Sequence, residues 1–371
     1  MIVYFIVVFL VAGLSIAYEH CPIYIKSDRK IFWTRFALMF SLMISLSLVF
    51  AFRNLSVGTD TLSYYNMFNE LGSDFSMITT YEPGYCFLSI LIYSICPRFK
   101  VFMLVIAVLM FSCIIFTNIK ISKNFTLTNI LFITLGFYMQ SFNAVRQYMA
   151  LAILLLAICF LLDKWHHRAG DIIFVVLTIV AAMFHKTAVV GFVLLPMKYI
   201  KLDVTNVLII AVVVLSGLLL FPQFANIFDR LLGGGYVASY MPLMGEIFTN
   251  KNIAFLIATF VCVVGVLCVK HIILKIDTKH DMKYFDFFAW MAIMFCFIKI
   301  VSIFTIEIID RFGIYFLISL IYLAPITING LFKTQKNRSI INGCVVAVSL
   351  VFMVLVIKVV GAYGAYPYIM F

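Results

Sequence analysis

Six short stretches of this chain bring ionisable side chains to the ends of apolar runs. They are Arg53, Gly58-Thr59-Asp60, Glu82-Pro83-Gly84-Tyr85, Asn143-Ala144-Val145-Arg146-Gln147, Phe184-His185-Lys186-Thr187 and Asp310-Arg311. Two chemistries are open to such a set. Arg53, Arg146, Lys186 and Arg311 suit a diphosphate, because a guanidinium offers forked donors that match phosphate oxygens and stays charged at any working pH. Asp60, Glu82 and His185 do not help to bind an anion. They suit removal of a proton from a hydroxyl, which a positioned acceptor accelerates. An anion-binding half beside a proton-accepting half fits glycosyl transfer from a lipid diphosphate, where charge grows on the leaving diphosphate and fixed cations stabilise it.

The elements that must position these groups are membrane helices. Of 371 residues, 65% are hydrophobic and 12% charged, and mean hydropathy is +1.13, beyond what a soluble core uses. A span needs roughly 20 apolar residues, and without strand-type alternation the backbone groups in lipid must be satisfied inside helices. The expectation is an all-α transmembrane bundle, one integral membrane domain over residues 1–371, with about 12 spans of that kind. They fall near 1–17, 32–52, 101–117, 128–140, 144–162, 171–185, 187–197, 205–221, 253–269, 284–304, 311–330 and 340–360. Residues 1–17 have no basic start or small-residue cleavage site and read as a retained span. Residues 84–96 are short for a span and read as a re-entrant or interfacial helix started at Glu82-Pro83. The short runs 128–140 and 187–197 read as broken helices that line a cavity.

Orientation follows from basic loops: Lys26, Arg29 and Lys30; Lys120 and Lys123; Lys164 and Arg168; Lys198 and Lys201; Lys270 to Lys283; Lys333, Lys336 and Arg338. With these inside, the candidate site residues all face the extracytoplasmic side. Residues 53–100 then form a first outer loop with interfacial helices. In it, Thr59 or Asp60 caps a helix with Leu62, Tyr65 and Phe68 on one face, ended by Gly72. Residues 221–252 form a second outer loop, a lid hinged at Gly233-Gly234-Gly235 and carrying Tyr236 and Tyr240.

Several plainer readings limit the functional one. The net charge of +11 is accounted for by the inside loops, so no nucleic-acid partner is implied. Nine cysteines lack CxxC spacing, which leaves neither a disulfide framework nor a zinc site; no metal and no cofactor is expected. Arg53, Arg146 and Arg311 can each reach lipid headgroups, Asp310 and Arg311 can pair locally or with Glu307, and His185 can be a structural histidine. Lys299, deep in a span, needs Asp286, Glu307 or a carbonyl as partner. Tyr64, Tyr65, Tyr81, Tyr85, Tyr236 and Tyr240 fit an interfacial aromatic belt.

Taken in order with Tyr315, these motifs resemble the EpsG family of bacterial exopolysaccharide and O-antigen polymerases (Wzy type) over most of the chain, Glu-Pro-Gly-Tyr and Arg-Gln being the more specific elements. The resemblance implies a GT-C-like helical fold in the bacterial inner membrane with its site facing the periplasm. It implies transfer of a growing glycan from undecaprenyl diphosphate to a lipid-linked repeat unit, with membrane lipids and a chain-length regulator as further partners. On the same footing Arg53, Arg146, Lys186 and Arg311 hold the diphosphate. Asp60, Glu82 or His185 is the base, the choice left open. Tyr65, Tyr85, Gln147, Tyr236 and Tyr315 face the glycan. Two rivals stand beside it. A flippase for lipid-linked glycans would carry charges deep along a pathway, and a membrane O-acyltransferase built on His185 would leave Glu82 to Tyr85 without a role.

Overall fold

A computed structural model describes residues 1–22, 29–73, 80–162, 167–217, 250–277, 282–304 and 309–370. Among them there is no strand, and eight helices are long and apolar enough to cross a membrane: Ile2–His20, Lys30–Ala51, Phe99–Ile121, Val145–Leu162, Phe255–Ile276, Lys283–Ile303, Asp310–Leu331 and Gln335–Val359. The chain is an all-α, multi-pass membrane protein. Its residues group into two compact units, 1–189 with 332–371, and 190–331.

The first unit holds α1 (Ile2–His20), α2 (Arg29–Ala51), α3 (Thr61–Ser73), α4 (Pro83–Ile95), α5 (Phe99–Ile121), α6 (Phe125–Thr134), α7 (Phe137–Gln140), α8 (Val145–Leu162) and α9 (His167–Phe184), together with the C-terminal helix Gln335–Val354. At its centre α8 packs on α5 and α9. Ala150 to Leu155 are six consecutive buried residues, a helix apolar all round because no side of it meets water. Polar side chains tie neighbours together where lipid supplies no hydrophobic drive. Asn118 Nδ2 donates to Asn129 Oδ1 at 2.8 Å, and Asn129 Nδ2 donates to Ser15 Oγ at 3.1 Å, linking α5, α6 and α1.

The run 128–140 is broken, as its length implies: α6 stops at Thr134 and the short α7 resumes after Gly136. Helix α4 has 13 residues, with Glu82 at its N-cap and Pro83 in the first turn. At 1.5 Å per residue it is roughly 20 Å long, well under the bilayer core. Helix α3 corrects one expectation. Its inward face is Thr61, Tyr64, Met67, Phe68 and Leu71, while Leu62 and Tyr65 are 53% and 38% exposed. Tyr64 N–H donates to the Asp60 carbonyl, so the helix starts after Asp60, and its inward face is the one that packs on Tyr85 and Phe102. Gly72 does not end it; it lies inside α3 against the Tyr93 ring.

The second unit contains Leu194–Met197, Val204–Gly217, Asn250–Ile276, Lys283–Phe304, Asp310–Leu317 and Leu320–Leu331. The expected break in 187–197 is present, a 3-10 stretch Lys186–Val193 running into Leu194–Met197. Lys270 Nζ donates at 2.7 Å both to Asp286 Oδ2 and to the Leu202 carbonyl, and Leu202 N–H donates to the same carboxylate at 3.1 Å. Asp286 Oδ2 is thereby taken, and Lys299, 13 positions further along the same helix, pairs with Asp310. Glu307, Tyr236, Tyr240, Lys26, Lys164, Lys279 and the expected lid as far as residue 249 lie outside the described residues.

Candidate functional site

The four residues of Glu-Pro-Gly-Tyr build one joint. Pro83 presets the backbone of the first turn of α4, where no intrahelical N–H bond is lost. Gly84 permits a close approach: a Cβ there would lie 2.9 Å from the Met183 carbonyl oxygen and 3.1 Å from its carbon, contacts that only a flexible neighbour could yield. Met183 is two residues before His185, so this approach of α4 to the end of α9 delivers the Glu82 carboxylate to the imidazole. Glu82 Oε1 lies 3.2 Å from His185 Nδ1, and Glu82 Oε2 accepts from Arg146 Nη1 at the start of α8. Tyr85 is fully buried, and the Arg146 Cζ lies 5.7 Å from the centroids of both its ring and that of Tyr81.

Electrostatics within this joint favour the ion pair. Burial alone would raise the Glu82 pKa, but the hydrogen bond to His185 and the Arg146 charge outweigh it and hold the carboxyl at about 2. A buried carboxylate persists only with such partners. Burial raises the Tyr64 hydroxyl, the Arg146 charge opposes that rise and Asp60 adds to it; through Tyr64 the Asp60 carboxylate is electrically adjacent to the joint. Side-chain exposure is graded across the joint, 24% for Arg146, 15% for His185 and 8% for Glu82. The cation and the imidazole are the open members, and the carboxylate stands behind them.

Other expected site residues fall elsewhere. Lys186 is exposed beside His185, and Gln147 is half-buried beside Arg146. Asp60 is exposed, its Oδ1 accepting from Thr59 Oγ1 at 2.9 Å. Tyr65 packs edge-on against Phe99 at 5.4 Å. Tyr85, with no exposed face, backs Arg146 and does not present a surface for sugar stacking. Arg311, exposed, and Tyr315, buried, belong to the second unit.

Arg53 is a correction. It is 1% exposed and lies against the Phe50 and Phe142 rings, with Cζ 4.3 and 4.8 Å from their centroids. Its Nε donates to Thr61 Oγ1 at 3.2 Å, Nη2 to the Phe142 carbonyl at 3.0 Å and Nη1 to the Phe50 carbonyl. Burial pushes it down to about 10, still charged at neutral pH. It braces the loop after α2, and its donors are turned to protein and away from any diphosphate. Asn143 is the residue that sequence reasoning passed over: it stands in the quoted motif, but only its backbone partners, described below, reveal its part. Among the described residues no three His, Cys, Asp or Glu side chains gather as metal ligands.

The EpsG family matches residues 36–370, an interval that contains every member of this joint. The chain belongs to the EpsG family. Its function is accordingly of the membrane polysaccharide-polymerase type. No curated protein and no solved structure matches the chain significantly. In this EpsG-family chain the two more specific motif elements, Glu82 to Tyr85 and Arg146-Gln147, are the ones joined by the ion pair.

Proposed function

We propose that this EpsG-family chain transfers a growing glycan from undecaprenyl diphosphate to the next lipid-linked repeat unit at the outer face of the bacterial cytoplasmic membrane. The observation that carries the reading is the graded joint, in which Glu82 is held between Arg146 and His185 with the last two open to a ligand. An acceptor hydroxyl oxygen bonds to the anomeric carbon of the growing glycan, and the bond from that carbon to the diphosphate oxygen breaks with its electron pair. His185, held through Nδ1, takes the hydroxyl proton on Nε2. Glu82 stays ionised and fixes that tautomer, as a carboxylate behind an imidazole does. Arg146 and Lys186 stabilise the charge that grows on the diphosphate. Asp60, outside the ion pair but near it, serves the acceptor sugar.

The glycan of a strain lacking the gene tests this reading. Single capped repeats in place of long chains support polymerisation. Full-length chains lacking an ester would mean acyl transfer, and absence of any surface repeat would mean flipping; either result sinks the proposal.

A further inference from the structure

Residues 361–370 follow the C-terminal helix and lie along the loop that joins α2 to α3. Gly58 N–H donates to the Gly364 carbonyl at 2.9 Å and Asn54 N–H to that of Ile369 at 2.8 Å, while Arg53 pairs with Met370 across an isolated antiparallel bridge. Side chains extend the seam: Tyr368 donates its hydroxyl to the Val49 carbonyl at 2.7 Å and Tyr4 to that of Ala365 at 2.5 Å. Asn143 sits at the junction. Its Oδ1 accepts from Thr59 N–H at 2.9 Å and its Nδ2 donates to the Tyr363 carbonyl at 2.8 Å.

One amide therefore ties three segments of the first unit: the loop that carries Asp60, the start of α8 that carries Arg146, and the tail. Only an amide side chain of this length offers both an acceptor and a donor to two backbones at once; a carboxylate would accept alone. Gly58 adopts φ +89, and a Cβ on it would lie 2.7 Å from Asn143 Oδ1. Any other residue there would be both strained and in collision with the amide. Tyr363 holds φ +67 without being glycine, a conformation that persists where surroundings over-determine it and that gathers at functional sites.

We propose that Asn143 and residues 361–370 form a permanent clasp that positions Thr59-Asp60 relative to Arg146, and so sets how an acceptor glycan meets the joint. The role in catalysis rests on the polymerase reading above. Asn143 is a positioning residue, since its amide is consumed by backbone partners.

Cysteines at Thr59 and Gly364, in the full chain freed of its nine native cysteines, test it. A Cβ on Gly364 lies 3.3 Å from Thr59 Cγ2, the place a sulfur at position 59 can take in a disulfide. Gly364 has φ +56, so its cysteine strains the loop, and the reduced double variant must first be shown to accumulate before copper phenanthroline is added to join the two thiols. Each oxidised protein is compared with its own reduced form, because both substitutions alter the loop. The crosslink should form in most of the protein and leave turnover of undecaprenyl-diphosphate-linked repeat units unchanged. Asn143→Ala should lower turnover by about tenfold, the scale of a small misplacement, at normal protein level, and closing the disulfide should restore most of that loss. Should Asn143→Ala not accumulate, Asn143→Asp replaces it, keeping the acceptor for Thr59 and setting a charged oxygen against the Tyr363 carbonyl in place of the donor. Failure to crosslink, a crosslink that stops turnover, or a variant that the crosslink does not rescue overturns the clasp. If the unaltered chain makes no polymer from these lipids, the polymerase reading fails separately, and crosslinking yield still decides whether the clasp exists.

Discussion

Glu82 Oε1 lies 3.2 Å from His185 Nδ1, joining the start of α4 to the end of α9 across 103 positions of sequence. The second oxygen of the same carboxylate is taken by Arg146. One buried acid thus fixes the two groups that remain open to a ligand, and it is itself kept from acting as a proton acceptor.

Gly84→Ala should separate these partners without touching their chemistry. The new methyl group meets the Met183 backbone at 2.9 Å, and backbone cannot swing aside as a long side chain can. Overpacking of this kind costs about 1–3 kcal/mol. A lower melting temperature of the purified protein, with polymerisation falling further than protein level does, is expected. Unchanged melting would mean that α4 and α9 have room to spare.

Arg146→Lys tests the cation. A lysine keeps the charge that Glu82 needs, so the protein should accumulate near normally. It lacks the planar fork that can hold Glu82 and a phosphate oxygen together. Polymer should fall by at least about tenfold, the worth of one lost charge-assisted bond. Full polymerisation by the lysine variant would reduce Arg146 to an anchor.

Much of this was legible in the sequence because lipid imposes strong rules. Long apolar runs must be helices, and the ends of α8 fall within one residue of the hydropathy limits, while α5 and the C-terminal helix start two and five residues before theirs. Glu82, Arg146 and His185 stood out because charge is rare in such a chain. What sequence could not show was which charges meet. Arg53 looked like a ligand by type and place, yet its partners are carbonyls at residues 50 and 142 and a hydroxyl at residue 61, and carbonyl acceptors leave no mark in residue identity. The face of α3 was misjudged for a similar reason. Tyr64 and Tyr65 are equally amphipathic, and what decides which turns inward is tertiary packing, Tyr64 against Tyr85 and Phe68 on Phe102, which residue identity alone does not show. Lys299 had three named partners to choose from and pairs with Asp310; Asp286 sits 13 positions earlier on the same helix, roughly 20 Å away along its axis, and so could never reach it.

Orientation can be checked on residues with firm positions. Helix α5, 23 residues from Phe99 to Ile121, is roughly 34 Å long and so crosses a bilayer core. Lys100 Nζ donates to the Arg53 carbonyl, so the loop after α2 lies at one end of α5 and Lys123 just past the other. Ser56 and Lys123 are both exposed. In a cysteine-free chain Ser56→Cys should react with an impermeant maleimide in intact cells, and Lys123→Cys only after permeabilisation. The reverse pattern would put the joint on the cytoplasmic side and remove the reaction proposed for it.

The base is the last question, and removing a proton acceptor can be told apart from removing a charge. His185→Gln keeps size and hydrogen bonding, and should cost on the order of a hundredfold in rate, the usual contribution of a general base, with lipid-linked substrate still bound. Asp60→Asn, outside the ion pair, should cost less and act mainly on the concentration of acceptor needed. A larger loss for Asp60→Asn than for His185→Gln would transfer the role to the aspartate. Glu82→Gln should lower both rate and stability, since Arg146 is then left without its countercharge. Its stability effect has a definite pH sign. The folded carboxyl is held at about 2, against 4.5 when unperturbed, so folding favours the ionised form. That contribution is complete above about pH 4.5 and is lost as pH falls through about 2. Melting curves should therefore show the unaltered chain losing more stability than Glu82→Gln between pH 5 and pH 2.5, with the gap between them widest at neutral pH. If the two chains keep the same gap at every pH, Glu82 titrates as an ordinary carboxylate and the joint is looser than its geometry indicates.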